Sequence, residues 1–327
     1  MGITGLRKIQ IGEEGTKGLA VPTTAILLGS LTMERTPTIH KPREERAQMA
    51  EFSRSVTVGD LVAMTYEGDA TFEQIIYLLH MGILGNVTPA VVDTSAKLWT
   101  FTPAMAAVGV YDSFTLEYGD DVRVLEAEYC MASRIEISGA MNAPVTCRAD
   151  IFGRQVTVSA FTGALTAPTV ETAIGQKSKL YIDAEAGTIG TTEQAATLIA
   201  WSYVINTGLY PKRYGDGQIY FSSYGESFKS VELRATFAFN AAAEVQRILF
   251  DGATQQLFRI ETSGSLVGAV SAVREITLDV SGIYDSFSTL RDRDGEDVVE
   301  IVVSSQRCPT YTKAFEVAVQ NAVAPLP

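Results

Sequence analysis

The chain has 327 residues, with 38 Asp and Glu against 26 Lys and Arg, for a formal charge of −12. That length suits about two domains of roughly 150 residues, and an acidic surplus has the wrong sign for gripping nucleic acid through its phosphates. At 46% apolar and 20% charged residues the composition is globular rather than disordered, and only two histidines, His40 and His80, leave little room for histidine-based metal sites or triads.

The opening, Met1 to Leu6, lacks the apolar stretch of a secretory signal. Leu6 also stands where a myristoylation pattern needs Ser or Thr. No apolar run approaches the roughly 20 residues that span a bilayer. The expectation is a soluble protein made in the cytoplasm, without membrane insertion. From Glu34 to Arg54 the chain is charged, carries Pro37 and Pro42, and has few core-like positions. It reads as a long excursion, a size uncommon in compact domains unless the loop is functional or disordered.

The spacing predicts a strand over Leu61 to Tyr66 and then a helix over Thr71 to Met81. Asp69 or Thr71 would cap that helix, Phe72, Ile75, Ile76 and Leu79 form its stripe, and Gly82 ends it. Period-two alternation follows at Trp99-Thr100-Phe101, Ile135/Ile137 and Val145/Cys147/Ala149/Ile151. It resumes at Leu180/Ile182, Trp201/Tyr203/Ile205 and Val231 to Phe239. A second helix is predicted over Ala241 to Asp251, capped by Asn240 and ended by Gly252, with Val245, Ile248 and Leu249 facing the core. Strands at Leu257 to Ile260, Ile276/Leu278/Val280 and Val298 to Val303 complete the pattern.

The order strand, helix, aromatic strand, Ser-Gly strand occurs twice. Trp99-Thr100-Phe101 matches Leu257 to Ile260, and Ile135 to Gly139 matches Ile276 to Gly282. This duplication predicts two similar β-rich domains, 1–165 and 177–327, with a Thr/Ala/Pro-rich connector over 166–176.

Chemistry is sparse. Cys130, Cys147 and Cys308 are odd in number and have no CxxC spacing, which argues against a disulfide framework or zinc site. Their expected role is as small buried hydrophobes, although a Cys130–Cys147 pair stays open. The acidic string Asp292, Asp294, Glu296 and Asp297 resembles a calcium loop only loosely, because its glycine comes too early and two arginines interrupt it. It reads as an exposed hairpin tip at Asp294-Gly295. His80 has no triad pattern around it, and no pair of carboxylates has acid-base spacing. The expectation is no catalytic site, no cofactor and no metal.

Several segments nonetheless carry a resemblance. Arg7 to Thr24, Thr65 to Glu73, Trp99 to Pro103, Phe114 to Gly119, Asp150 to Arg154, Lys179 to Asp183 and Asn206 to Gly217, in that order, resemble the tail tube proteins of long-tailed, siphovirus-type bacteriophages. The resemblance covers most of the chain. It implies mainly-β, tandem tail-tube-type β-sandwich or barrel domains, each flanked by one α-helix. It implies a non-enzymatic virion subunit whose rings stack into a hollow tube that conducts double-stranded DNA without specific binding. Two tube domains per chain would make the ring a trimer with pseudo-sixfold shape. Tape-measure and tail-terminator or tip proteins are the implied partners, and the virion tail is the implied location. By the same resemblance, the N-terminal arm, with Arg7 and Lys8, and the charged loop, with Glu34, Arg35, Lys41, Arg43, Glu44, Glu45 and Arg46, are candidates for contact between rings. An acidic lumen would keep DNA mobile. The alternative readings are a duplicated β-sandwich decoration or adhesin protein, and a glycan-acting enzyme with paired carboxylates.

Overall fold

The computed structural model describes residues 3–268, 272–293 and 295–326. Met1 and Gly2 of the expected arm and Asp294 of the acidic string lie outside the described residues. The chain is mainly β, built of large antiparallel sheets, with two α-helices among the described residues.

The first half contains β1 (Lys8–Glu13), β2 (Ala25–Leu27), β3 (Ser30–Arg35), β4 (Thr38–His40), β5 (Val56–Gly59) and β6 (Val62–Asp69). After α1 (Ile75–Gly82) come β7 (Ala90–Val91), β8 (Lys97–Phe101), β9 (Phe114–Gly119), β10 (Val124–Ala140), β11 (Thr146–Gly153) and β12 (Val156–Ser159). The second half contains β13 (Ser178–Ala184), β14 (Leu198–Asn206), β15 (Leu209–Lys212), β16 (Ser223–Glu226) and β17 (Ser230–Ala238). After α2 (Ala241–Asp251) come β18 (Gln256–Leu266), β19 (Val273–Phe287), β20 (Arg291–Arg293), β21 (Glu296–Ser305) and β22 (Phe315–Asn321).

The long strands organise everything. The first part of β10 pairs with β9 and β12, and its second part with β11 and β14. It changes partners through register shifts at Ala127/Cys130 and Ala132/Arg134, with Tyr129 inside the first at φ 55. A bulge of this kind bends a strand and re-aims it. β19 does the same: β18 and β22 flank its first part, and β21 takes over beyond Gly282. The pairing order β1-β9-β10-β12 with β10-β11-β6-β3 therefore recurs as β13-β18-β19-β22 with β19-β21-β17-β14. A hairpin is inserted at the same point of each half: β4–β5 after β3, and β15–β16 after β14.

This pattern corrects the sequence match in two places. Ile135 to Gly139 lies in the second part of β10, against β11 and β14, whereas Ile276 to Val280 lies in the first part of β19, against β18 and β22, so the two strands correspond but these segments of them do not. Trp99-Thr100-Phe101 is not the counterpart of Leu257 to Ile260; β9 holds that place. Trp99 and Phe101 lie on β8, an extra strand added to the edge of β22. A period-two run shows that a strand exists but not which neighbour it chooses. The barrel expectation is also corrected for the single chain: among the described residues the pairings branch but never return on themselves, so no barrel closes there.

Two seams join the halves, β10 to β14 and β8 to β22. One hydrophobic core runs through both, from Ile11 and Phe114 to Phe258 and Val317. The 166–176 connector is held down by bridges from Thr172 to Thr71 and from Ile174 to Pro144, with Ala173 buried.

The helices differ from expectation in opposite ways. α1 starts later than predicted, at Ile75, although the Thr71 hydroxyl accepts from the Gln74 amide at 3.2 Å. It is buried on nearly all sides, not along one stripe. α2 has the predicted span, and the Asn240 side chain accepts from the amides of Ala242 and Ala243. Its predicted core stripe is corrected in part: Leu249 packs against the core, but Val245 and Ile248 are 53% and 63% exposed, and Ala243 and Gln246 face inward instead. The Gln246 side chain accepts from the Tyr284 hydroxyl at 2.7 Å, so a polar residue claims the buried side.

Candidate assembly interface

The six strands β6, β11, β10, β14, β17 and β21 lie side by side in one sheet across both halves. Because side chains alternate faces and cross-strand partners share one, the register specifies what each face carries. Ala149, Ile135, Ile205, Val231 and Leu233 face the core. The other face is polar. One row across it reads Glu67, Arg148, Glu136, Val204, Glu232, Ser304; the next reads Thr65, Asp150, Arg134, Asn206, Ser230. Asp69, Arg234 and Glu300 lie on the same face.

This face carries Arg134, Arg148 and Arg234 and six carboxylates, Glu67, Asp69, Glu136, Asp150, Glu232 and Glu300, with Arg291 of β20 reaching Glu300 at 3.2 Å. Each arginine is engaged. Arg148 lies 3.1 Å from Glu67, Arg134 lies 2.8 Å from Glu136, and Arg234 lies 2.6 Å from Glu232. The face therefore presents surplus negative charge with its guanidinium groups already paired. Sequence alternation foretold a polar face on each strand, but not that six of these faces would be continuous.

The sheet has two free edges among the described residues. β3 pairs only with β6, leaving its outer edge open. At the other end the Ile283–Phe287 stretch of β19 pairs only with β21, and β20 extends that edge. Open edges of this kind are templates for pairing with another chain.

The sequence-predicted contact residues fall into three places. Arg7 is exposed, but the arm that holds it is bound into the fold from β1 onward. Lys8 is half-buried with Nζ 4.1 Å above the Phe161 ring. The buried Glu14 carboxylate accepts from Gly18, Ser113, Thr115 and Tyr129 and anchors this arm; sequence reading missed it, because a lone Glu has no pattern. Glu34 and Arg35 end β3, and Arg35 pairs with the buried Asp60 at 2.7 Å. Lys41, Arg43, Glu44, Glu45 and Arg46 belong to the segment between β4 and β5, so the expected loop is a hairpin arm with an irregular end. There Arg43 pairs with Glu51, Glu44 holds both Arg46 and Arg54, and Lys41 lies over the Phe52 ring. The Arg54 hydrogen bond holds the Glu44 carboxyl below the usual range. Much of the arm's charge is thus satisfied within the arm. Asp292, Glu296 and Asp297 are exposed on the β20–β21 hairpin, Asp292 opposite Asp297 and Glu296 opposite Arg293.

Cys130, Cys147 and Cys308 are unpaired and buried, and burial pushes the Cys147 thiol up to about 12. His80 is buried against Trp99 and Phe101, with Nδ1 3.4 Å from Asp112. Among the described residues there is no cluster of three His, Cys, Asp or Glu able to hold a metal, and no helix is long and apolar enough to cross a membrane. Compared with known proteins, the chain matches no family model and no curated protein.

Proposed function

We propose that the chain is a subunit of a bacteriophage tail tube, forming rings that stack into a conduit for DNA. The observation that carries this reading is the β10–β14 seam. There the last strand of one four-stranded unit (β3-β6-β11-β10) pairs with the first strand of its repeat (β14-β17-β21-β19). The chain ends with the same two kinds of edge unused, β3 at one side and the end of β19 at the other. A second copy can repeat the seam by setting its β3 beside that end of β19. Such a contact is head-to-tail and closes only if its rotation divides a circle. Three chains carry six units, so a trimeric ring would have pseudo-sixfold shape and a continuous closed sheet without edges. In that ring the two halves are the tandem tail-tube-type domains.

The polar sheet face would line the channel. Its surplus carboxylates repel phosphate, and its arginines are already engaged, so DNA passing by meets little adhesion. The β4–β5 arm, which extends from the β3 end of the sheet, is the element suited to reach a neighbouring ring. Its internal ion pairs are exposed and individually weak, about 0–1 kcal/mol, which suits a joint that must flex.

Negative-stain microscopy of the concentrated protein with symmetry analysis tests this reading. Hollow rings or tubes with a threefold repeat are expected. Particles lacking a central channel, or a channel lined by a basic surface, would overturn it.

A further inference from the structure

We infer that the exposed apolar face of α2, carried by Val245 and Ile248, docks on the β12 edge of a second copy of this chain, at Val158. Such docking presupposes the head-to-tail assembly proposed above and specifies a second contact in it, separate from the strand seam.

The two helix entries can be superposed on a shared side-chain-to-amide bond, although the N-cap of α1 itself is Gln74. Thr71 accepts from the amide three residues on, at Gln74, and Asn240 does the same from Ala243. With that offset, Ile76 and Leu79 of α1 correspond to Val245 and Ile248 of α2. The first pair is 0% exposed, whereas the second is 53% and 63% exposed. The difference lies in what each helix faces. Ile76, Leu79 and His80 are spaced to share one side of α1, and Phe72 lies in the turn before it. Phe72 lies against Gly264 of β18, its carbonyl accepts from Asn321 at the end of β22, and His80 stacks edge-on against Trp99 and Phe101. Those two aromatics extend the sheet of the second half, opposite Val319 and Val317. Around α1, Phe72 thus meets the second half directly, and His80 meets β8, the strand that carries the first half onto the edge of β22. Among the described residues nothing comparable covers Val245 and Ile248 of α2.

The receiving surface shows the mirror deficit. Across the first half the register runs Leu116, Ala127, Val156 and then Tyr118, Leu125, Val158. Across the second it runs Ile260, Leu278, Val317 and then Thr262, Ile276, Val319. Val158 therefore occupies the place of Val319. Val319 is 0% exposed, paired opposite Trp99 of β8, while Val158 is 69% exposed. One joint is complete inside the chain, and each of its two halves recurs uncovered at opposite ends. The direction agrees with the strand seam: the copy that offers the end of β19 also offers α2, and the copy that offers β3 also offers β12. The repeat lacks a counterpart of β8, since α2 runs into β18 after only a short turn, so in the second joint helix and β12 would meet without an intervening strand.

Cysteine cross-linking in the full chain tests the contact, because the three native thiols are buried. Val158→Cys and Ile248→Cys proteins, mixed and oxidised under conditions where rings form, should give a disulfide-linked heterodimer. The double variant should give linked dimers and trimers. Val245→Glu with Ile248→Glu should leave the melting temperature of the single chain unchanged and reduce ring yield at least tenfold. Rings that form without the mixed cross-link, or that tolerate both glutamates at full yield, would overturn this contact while leaving the tube reading intact. Cross-linking of Ile248→Cys with itself alone would replace it with a two-fold contact. Absence of any ring or tube from the unaltered protein would overturn both.

Discussion

The two halves share a pairing order yet treat their helices oppositely. α1, IIYLLHMG, is apolar on all sides and sits in the joint between the halves. α2, AAAEVQRILFD, carries Glu244, Arg247 and Asp251 and keeps one side in water. A helix that is hydrophobic all round belongs in a core, and one with mixed character at a surface. The contrast shows that the same supersecondary unit has become a buried connector in one copy and an uncovered flank in the other. What surrounds the unit decides which.

The contrast breaks most sharply at Phe72. Phe72→Ala should cost about 3–5 kcal/mol in chemical denaturation, because the ring is fully buried where the halves meet. Its counterpart in α2 is already Ala241. A cost below about 1 kcal/mol would mean that the joint is not packed as described. Next comes Glu73, whose carboxylate receives Arg274 at 2.7 Å and the Glu171 amide at 2.8 Å. Glu73→Ala should cost about 1.5–3 kcal/mol, and Arg274→Ala added to it should cost further, because Arg274 also donates to Ser265 and the Leu266 carbonyl.

The helix entries sharpen the comparison from the other side. Thr71→Ala and Asn240→Ala should each cost about 1 kcal/mol, and equal values would support superposing the entries on their shared side-chain-to-amide bond. Acid titration probes a loop of the second half. Burial pushes the Asp183 carboxyl up, but hydrogen bonds from Thr191, Thr192 and Gly190 outweigh it and leave the pKa below the usual range. A lowered folded-state pKa contributes stability above the ordinary carboxylate range and loses it as pH falls through the folded value. Asp183→Asn should therefore flatten the acid limb of a melting-temperature profile, and an unchanged limb would show that other carboxylates dominate it. The smallest effect belongs to Ile248→Ala, expected within about 0.5 kcal/mol in the unassembled chain. A larger loss would mean that α2 is already covered.

Part of this was legible before any coordinates. The spans of β17 and α2 and the Asn240 cap follow from local spacing. The candidate contacts were legible only as charged segments. That Lys8 lies over Phe161, or that Arg43 and Glu51 neutralise each other, depends on how the chain folds back. The sequence placed Trp99 opposite the wrong counterpart because alternation marks a strand without naming its partner. It also put Val245 and Ile248 in the core, because an apolar stripe signals burial against something without saying in which molecule.

Composition and periodicity alone determined that this is an acidic, strand-built protein, because backbone preference and side-chain alternation act over a few residues. Which faces join into one polar sheet, which edges stay open and which helix is covered were decided only by tertiary structure. These depend on register between segments far apart in the chain, and a one-residue slip would exchange the acidic face for the core.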